Sequence, residues 1–575
     1  MLITFKLNAQ NLSEKYDLNF QNFNECSWDW LAYQRNCKGF LDVNPNNHSS
    51  ASFKMQYDAQ FGINDMGFIL SKSIILPKTV KKRLTITLTS KSSSVKDFTF
   101  KIIAIDKNEE IQFQKELRVK STNKWIESKI FIPGNTKVFN IYIRYIGNRD
   151  TKQTIWLKDI TVNGDGQTID RDKIDTESQN SKAGKLETEK IISLQGDTVH
   201  LLDKIKDLSD KKIIGLGENT HGSATISNAR VQLLKNLVSG GHCKLILLEM
   251  PVDFALLMDL YIQGRLPSTS DEDLNGYLKL GMDYKIMKDL LKWLKIYNTS
   301  AKIKVHLFGI DNYSAGAKLP LMDYHVALLG TEKSEFYLKK IQENKLNDII
   351  DFSKKDPEIK RLLGEKGYIY YLNTLSGKFN SSLTERFSNR DSSMLKRVEF
   401  LDSLFTNNNE KTVILAHAGH LQKIKAIGPE GQFDVLGSLL NKKYGSKYYA
   451  LDFNFGSGTF TQDSCVSNQK YITDTLRTLA KNSFEYAANQ TNYNFFLYPA
   501  KYLNEDINTT AYILRNGQNR DHFKFASLKN RFDGYVFLKK SEHMTEIEKN
   551  PLLYSLRLFD GKRAKFSKIL NTSNQ

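Results

Sequence analysis

The feature that most constrains this chain is a change of hydrophobic period part-way along it. Up to about residue 163, polar and apolar positions largely alternate, as in 84–89 (LTITLT), 98–103 (FTFKII), 139–145 (FNIYIRY) and 155–162 (IWLKDITV). A period of two places every second side chain on one face, which is the pattern of half-buried antiparallel strands. A string of such strands predicts an all-β jelly roll or sandwich over residues 1–165. Residues 166–190 are rich in Asp, Lys, Ser, Gln and Thr and poor in large apolar residues, which predicts a flexible linker. From residue 191 short apolar runs alternate with segments of helical period, the signature of an α/β domain with a mostly parallel sheet, extending to about residue 545. Within it, residues 312–410 are largely helical in pattern and too long for a plain connection, so they predict a helical insertion beside the sheet. A basic tail, 546–575, follows.

The remaining bounds are broad. At 575 residues and 66.0 kDa the chain exceeds one compact core. Its 40% apolar and 25% charged residues are ordinary for a globular protein. No apolar run is long enough to span a bilayer, so no membrane span is expected. The net charge of +18 comes from 82 basic and 64 acidic residues that are interleaved, which predicts a solvated basic surface and no nucleic-acid site. Cys26, Cys37, Cys243 and Cys465 form no metal or redox spacing; Cys26 and Cys37 are either a bridge or free thiols. The start lacks the marks of a signal peptide. That leaves localisation open: cytoplasmic as written, exported or envelope-associated if a signal is missing.

Ligands of a parallel sheet bind beyond the carboxyl ends of its strands. The predicted strands 212–217, 244–249, 304–311 and 412–417 end at Glu218 and His221, at Glu249, at Asp311, and at His417 and His420. A fifth, 448–455, carries Asp452 and Asn454. The segment 215–223 (GLGENTHGS) is a tight strand-to-helix turn, but it lacks GxGxxG and Walker spacing, which disfavours a nucleotide. No GxSxG elbow appears either. On the next predicted helix Arg230 falls within the apolar stripe of Ile226, Leu233 and Leu237. A guanidinium aimed at a core needs an anion, and Glu218 or Glu249 is the natural partner. His417 and His420 with a carboxylate suit a zinc ion. Equally, one imidazole can act as base and the other as oxyanion donor.

The set 217–222 (GENTHG), Arg230, Leu248-Glu249, 309–311 (GID), 389–394 (NRDSSM), 416–420 (AHAGH) and 436–438 (LGS) occurs in one order. It resembles the erythromycin esterase-like family over roughly residues 195–540. The resemblance implies an α/β hydrolytic fold with a helical insertion, and macrolide lactone hydrolysis, hence antibiotic resistance, in the best-known members. It implies that Glu218 and His221 are catalytic, with a histidine activating water and no covalent intermediate. It places Arg230, Glu249, Arg390, His417 and His420 around the same pocket.

The combined expectation is a cofactor-free hydrolase of ester or lactone bonds acting on a small molecule. His221 is its general base, oriented by Glu218 or Glu249, with His417 or His420 as oxyanion donor. Arg230, Arg390, His420 and Asp311 supply substrate binding or electrostatics. Two rivals stay open: a metal-dependent hydrolase built on His417 and His420, and a non-catalytic binder of polyketides or glycans. For the N-terminal domain, Trp28, Trp30 and Tyr33 suggest contact with a glycan or the cell envelope.

Overall fold

The computed structural model describes residues 31–57, 65–76, 82–148, 153–168, 183–195, 204–265, 284–311, 339–376, 388–463, 471–511 and 523–544, apart from scattered positions, together with Leu18, Phe20, Phe336 and Phe379. Cys26, Trp28, Trp30, Cys465, much of the apolar-poor stretch after residue 168, the first part of the insertion and the basic tail lie outside the described residues, as does the side chain of Tyr33.

The N-terminal part is an antiparallel β-sandwich. Its strands are β1 (Leu31–Arg35), β2 (Cys37–Asn44), β3 (Asn47–Tyr57), β4 (Asp65–Ile75), β5 (Arg83–Ser93), β6 (Asp97–Ile105), β7 (Ile111–Lys120), β8 (Ile126–Pro133), β9 (Val138–Asn148) and β10 (Thr154–Gly164). One sheet runs β1-β4-β9-β6-β7 and the other β2-β3-β10-β5-β8. The period-two pattern sets the layers. Leu84, Ile86 and Leu88 of β5 and Ile155, Leu157, Ile160 and Val162 of β10 point inward, against Phe98, Phe100 and Ile102 of β6 and Ile141 and Ile143 of β9. Each such fully buried side chain contributes about 1.5–3 kcal/mol.

The odd-numbered set on β6 faces the other way. Ile103 and Ile105, with Val138 and Tyr142, pack against Ile427 and Phe525 of the second domain. The β6–β7 turn reinforces this contact. Glu109, at a φ of 66°, is buried and accepts from Arg531 Nε at 2.7 Å and from the Ser527 N–H at 2.6 Å. A left-handed backbone is uncommon outside glycine, and here the salt bridge and amide hold it in place. The outer face of the β1-containing sheet is thus covered by the second domain, and the outer face of the β2-containing sheet points away from it.

The second domain is α/β with a mixed, mostly parallel sheet. Its strands are β11 (Ile192–Ser193), β12 (Ile213–Glu218), β13 (Cys243–Pro251), β14 (His306–Asp311), β15 (Lys411–His417), β16 (Tyr448–Phe455), β17 (Phe495–Pro499) and β18 (Gly534–Leu538), in the order β11-β17-β18-β16-β12-β15-β13-β14. From β18 to β14 all neighbours are parallel, and β17 pairs antiparallel with β11 and β18. Every residue of β12, β15 and β16 is buried, as expected for strands covered on both faces.

Helices α1 (Ala224–Ser239), α2 (Val252–Ile262) and α3 (Tyr284–Ser300) follow the first strands. Ser223 caps α1 by accepting from the Ile226 N–H at 3.1 Å, and Gly241 follows its end with a φ of 74°. The described part of the insertion holds α4 (Leu346–Lys355), α5 (Pro357–Leu375) and α6 (Ser388–Phe405), and no strand among the described residues. None of the described helices is long and apolar enough to cross a membrane.

The structure differs from the sequence reading at both ends of the expected linker: Gln167 and Thr168 pair with Gly164 and Asn163 at the end of β10. Residues 183–190 are not a free linker: Leu186 is buried, the Gly184 N–H donates to Lys481 O at 3.0 Å, and the Glu187 N–H donates to Tyr498 Oη at 3.3 Å. Asn504 Nδ2 also donates to Lys185 O at 3.3 Å, so one leucine and a few backbone bonds anchor a segment whose composition is otherwise that of a linker.

Candidate active site

Strand order brings the candidate residues together. β15 lies between β12 and β13, and Glu218 is in register with His417. Glu218, His417, Glu249 and Asp311 therefore end four adjacent strands, β12, β15, β13 and β14, at one edge. His221 follows β12 in the turn before α1. That turn is tight because Thr461 crosses it: a Cβ on Gly222 would lie 1.7 Å from Thr461 O, so only glycine fits.

Arg230, on the inner face of α1, is 1% exposed. Its Nε donates to Leu216 O at 3.0 Å, Nη2 to Ala416 O at 3.2 Å, and Nη1 to Glu218 Oε2. The guanidinium thus ties α1 to β12 and β15 and holds Glu218. Burial lowers the group from its usual range and Glu218 offsets part of this; an arginine remains charged at neutral pH. The other oxygen of Glu218, Oε1, meets His221 Nδ1 at 2.7 Å. A carboxylate there places the proton on Nδ1 and leaves Nε2 to accept another.

His417 is the neighbour of His221, with ring centroids 4.8 Å apart. Its Nδ1 accepts from the Gly419 N–H at 3.1 Å, so the ring proton is on Nε2. Burial, with His221 beside it, pushes the His417 pKa down to about 3, and the ring is neutral.

A second cluster is built around Glu249. Its Oε2 accepts from the His417 N–H at 2.7 Å and its Oε1 from Arg390 Nη2 at 2.8 Å. Arg390, from α6, also donates to Asp311 through Nε at 3.0 Å and Nη2 at 2.6 Å. His420 Nε2 lies 3.3 Å from Glu249 Oε1, and its Nδ1 donates to Asp391 at 2.8 Å. Burial opposes charge on His420, but Glu249 and Asp391 outweigh it and push its pKa up to about 10. Burial likewise raises Glu249, yet His420 and Arg390 hold it well below the usual carboxylate range. Four carboxylates (Glu218, Glu249, Asp311, Asp391) face Arg230, Arg390 and His420, and buried Arg397 also acts on Asp311. Arg390 Nη1 lies 2.9 Å from His420 Nε2, and Arg390 Nη2 and His420 Nε2 both lie against Oε1 of Glu249.

The structure brings all eight sequence-predicted residues to this edge. Asp391 was missed. It fixes His420 and accepts from the Leu436 N–H at 2.7 Å, and its place beside Arg390 in 389–394 was the available signal. Asp452 also lies close by. It lines a cavity of about 20 Å³ with Asn219, His417, Arg531 and Tyr535, room for about one water. Its Oδ1 has no hydrogen-bond partner among the described residues, and burial pushes its pKa up to about 7. The folded state therefore binds more protons than the unfolded one between about pH 4 and 7, and stability falls as pH rises through that window. Asp452→Asn should remove this slope and gain roughly 2–4 kcal/mol near pH 8. Denaturant titrations at pH 5 and 8 check it; an equal effect at both pH values contradicts it.

The metal alternative fits poorly. Both nitrogens of His420 are engaged by protein groups, and Nδ1 of His417 accepts a backbone hydrogen bond. No three His, Cys, Asp or Glu side chains form a metal-holding group among the described residues.

Residues 365–541 match the erythromycin esterase family model. The chain carries an erythromycin esterase family domain. The matched stretch contains Arg390, His417 and His420, whereas Glu218, His221, Arg230, Glu249 and Asp311 precede it. Among solved structures, a succinoglycan biosynthesis protein is 21% identical, covering 64% of this chain and 97% of its own, with a TM-score of 0.47. An erythromycin esterase mutant in its open conformation is 18% identical, covering 64% of this chain and 100% of its own, with a TM-score of 0.40. The N-terminal sandwich resembles carbohydrate-binding modules; one, CBM4, is 16% identical, covering 26% of this chain and 97% of its own, with a TM-score of 0.17. A comparison with curated proteins found no match.

Proposed function

We propose that the α/β domain hydrolyses carboxylic ester or lactone bonds by a water attack that His221 drives. The observation that carries this reading is the Arg230–Glu218–His221 chain beside a neutral His417. Glu218 holds His221 with Nδ1 protonated. Nε2 then takes a proton from water as its oxygen attacks the acyl carbon, a role typically worth roughly 10²–10⁴-fold. His417 Nε2–H donates to the oxyanion, a contribution of about 3–4 kcal/mol. Glu249 anchors the His417 backbone, and Arg390, Asp311 and the charged His420 set the electrostatics of the pocket wall. Proton return from His221 to the leaving alkoxide completes the cycle with no covalent intermediate and no metal or other cofactor.

Macrolide lactones are the first substrate class to test, and turnover of them carries a resistance role with it. Purified protein incubated with macrolides and simple lactones should give products heavier by one water, seen by mass spectrometry, and chelation should leave the rate unchanged. Loss of rate on chelation with recovery on adding zinc supports the metal-dependent rival. Tight binding across the panel without turnover supports a non-catalytic binder. For the N-terminal sandwich we propose glycan binding, with a domain division near residues 166–182.

A further inference from the structure

The outer face of the β2-containing sheet points away from the α/β domain and carries a regular cross-strand row. Phe40 on β2 is paired with Lys54 on β3, Lys54 with Trp156 on β10, and Trp156 with Lys91 on β5. Trp125 extends the row, standing one residue before Ile126, which pairs with Ser90. Aromatic and lysine side chains thus alternate across five neighbouring strands. The inward neighbours Phe53, Met55, Ile155, Leu157 and Ser90 are buried, so the parity of the strands turns the row outward.

The contacts preset the cations. Lys54 Nζ lies 5.2 Å from the Phe40 ring centroid and 5.4 Å from that of Trp156. Lys91 Nζ lies 4.7 Å from Trp156 and 5.0 Å from Trp125, and Lys158 Nζ lies 5.9 Å from Trp125. No carboxylate pairs with any of these three ammoniums among the described residues. Elsewhere on this face Lys129 pairs with Glu127 at 2.9 Å. Trp125 is 40% exposed, and Trp156 Nε1 is tied to Asp42 Oδ2 at 2.7 Å. Ammoniums propped on aromatic rings and not ion-paired form a surface with net positive charge, even with Asp42 held by Trp156 beside them.

We propose that the row Phe40–Lys54–Trp156–Lys91–Trp125 binds an acidic polysaccharide carrying one carboxylate per disaccharide and lying across the strands. This rests on the glycan reading of the sandwich and names the ligand's charge and the face that takes it. Lys54 and Lys91 are two strands apart, about 9.5 Å. That span is comparable with one disaccharide of an extended β-linked chain, so carboxylates spaced by two sugars meet successive lysines. The exposed Trp125 offers an apolar surface to a sugar ring. A nucleic-acid strand is a poorer fit. It presents phosphates far more densely, about every 3.4 Å along a duplex strand, than two lysines about 9.5 Å apart can match.

The test is calorimetric titration of the full chain with three probes: a hyaluronan decasaccharide with one carboxylate per disaccharide, a neutral chitin oligosaccharide, and oligo-dT. Hyaluronan should bind, more weakly as salt is raised. The K54Q/K91Q variant should bind at least about tenfold more weakly, and K54R/K91R should keep the affinity. Melting curves verify that the variants are folded; if K54Q/K91Q is not, W125A replaces it with the same expected loss. Chitin oligosaccharide bound as well as hyaluronan, with no lysine dependence, overturns the acidic ligand and leaves the glycan reading standing. Binding of neither glycan overturns both. Oligo-dT bound in preference, with the same lysine dependence, overturns the inference in favour of nucleic acid.

Discussion

Replacing His221 with glutamine should lower kcat for ester hydrolysis by about 10²–10⁴-fold while KM changes little. Glutamine keeps a polar side chain of similar reach, so Glu218 retains a hydrogen-bond partner and the pocket keeps its shape. What it cannot do is accept a proton from water at near-neutral pH. The effect should fall on the chemical step, so single-turnover and steady-state rates should drop together. His417→Ala should cost less, because His417, neutral at every working pH with a pKa near 3, serves as a donor and not as the base. A His221→Gln enzyme retaining activity within about tenfold of wild type transfers the role of base to another group and sinks this mechanism.

The second large effect is on stability. Arg230→Leu should destabilise the α/β domain by about 3–5 kcal/mol, because Glu218 is left buried without its counter-charge. Two backbone carbonyls, of Leu216 and Ala416, lose donors in the same step. The double variant E218L/R230L removes both charges at once. It should recover much of the loss and remain inactive, since His221 then has nothing to hold its tautomer. Chemical denaturation of the two proteins, with an activity assay alongside, reads both outcomes. A loss below about 1 kcal/mol for the single variant would mean that Glu218 finds another partner or takes up a proton.

Much of the fold was readable because it depends on local period. Residues 84–89 and 155–162 alternate, and they lie within strands whose inward residues make the sandwich core. Arg230 was legible as a buried cation for a similar reason: its spacing from Ile226 and Leu233 puts it on the core face of a helix. The choice between Glu218 and Glu249 was not readable. It depends on β15 passing between β12 and β13, a non-local fact that brings Ala416 and Glu218 to the guanidinium and gives Glu249 to Arg390 and His420. Asp391 escaped notice because a carboxylate in the first turn of a helix is ordinarily a solvated residue. Leu186 escaped it because one apolar side chain scarcely alters the composition of a linker.

The sandwich carries the same lesson. Trp28, Trp30 and Tyr33 stood out by closeness along the chain, whereas Phe40, Trp156 and Trp125 are spread over 117 positions of sequence and meet only through strand pairing. On its own, the amino-acid order determined the two classes of secondary structure, the strand ends that carry ionisable groups and the helix face that buries a charge. Each of these follows from side chains a few residues apart sharing a face. Tertiary structure alone decided which acid meets which base, which histidine is charged, and which aromatics stand in a row, because Coulomb and hydrogen-bond energies depend on distances of a few ångströms that only the strand order sets.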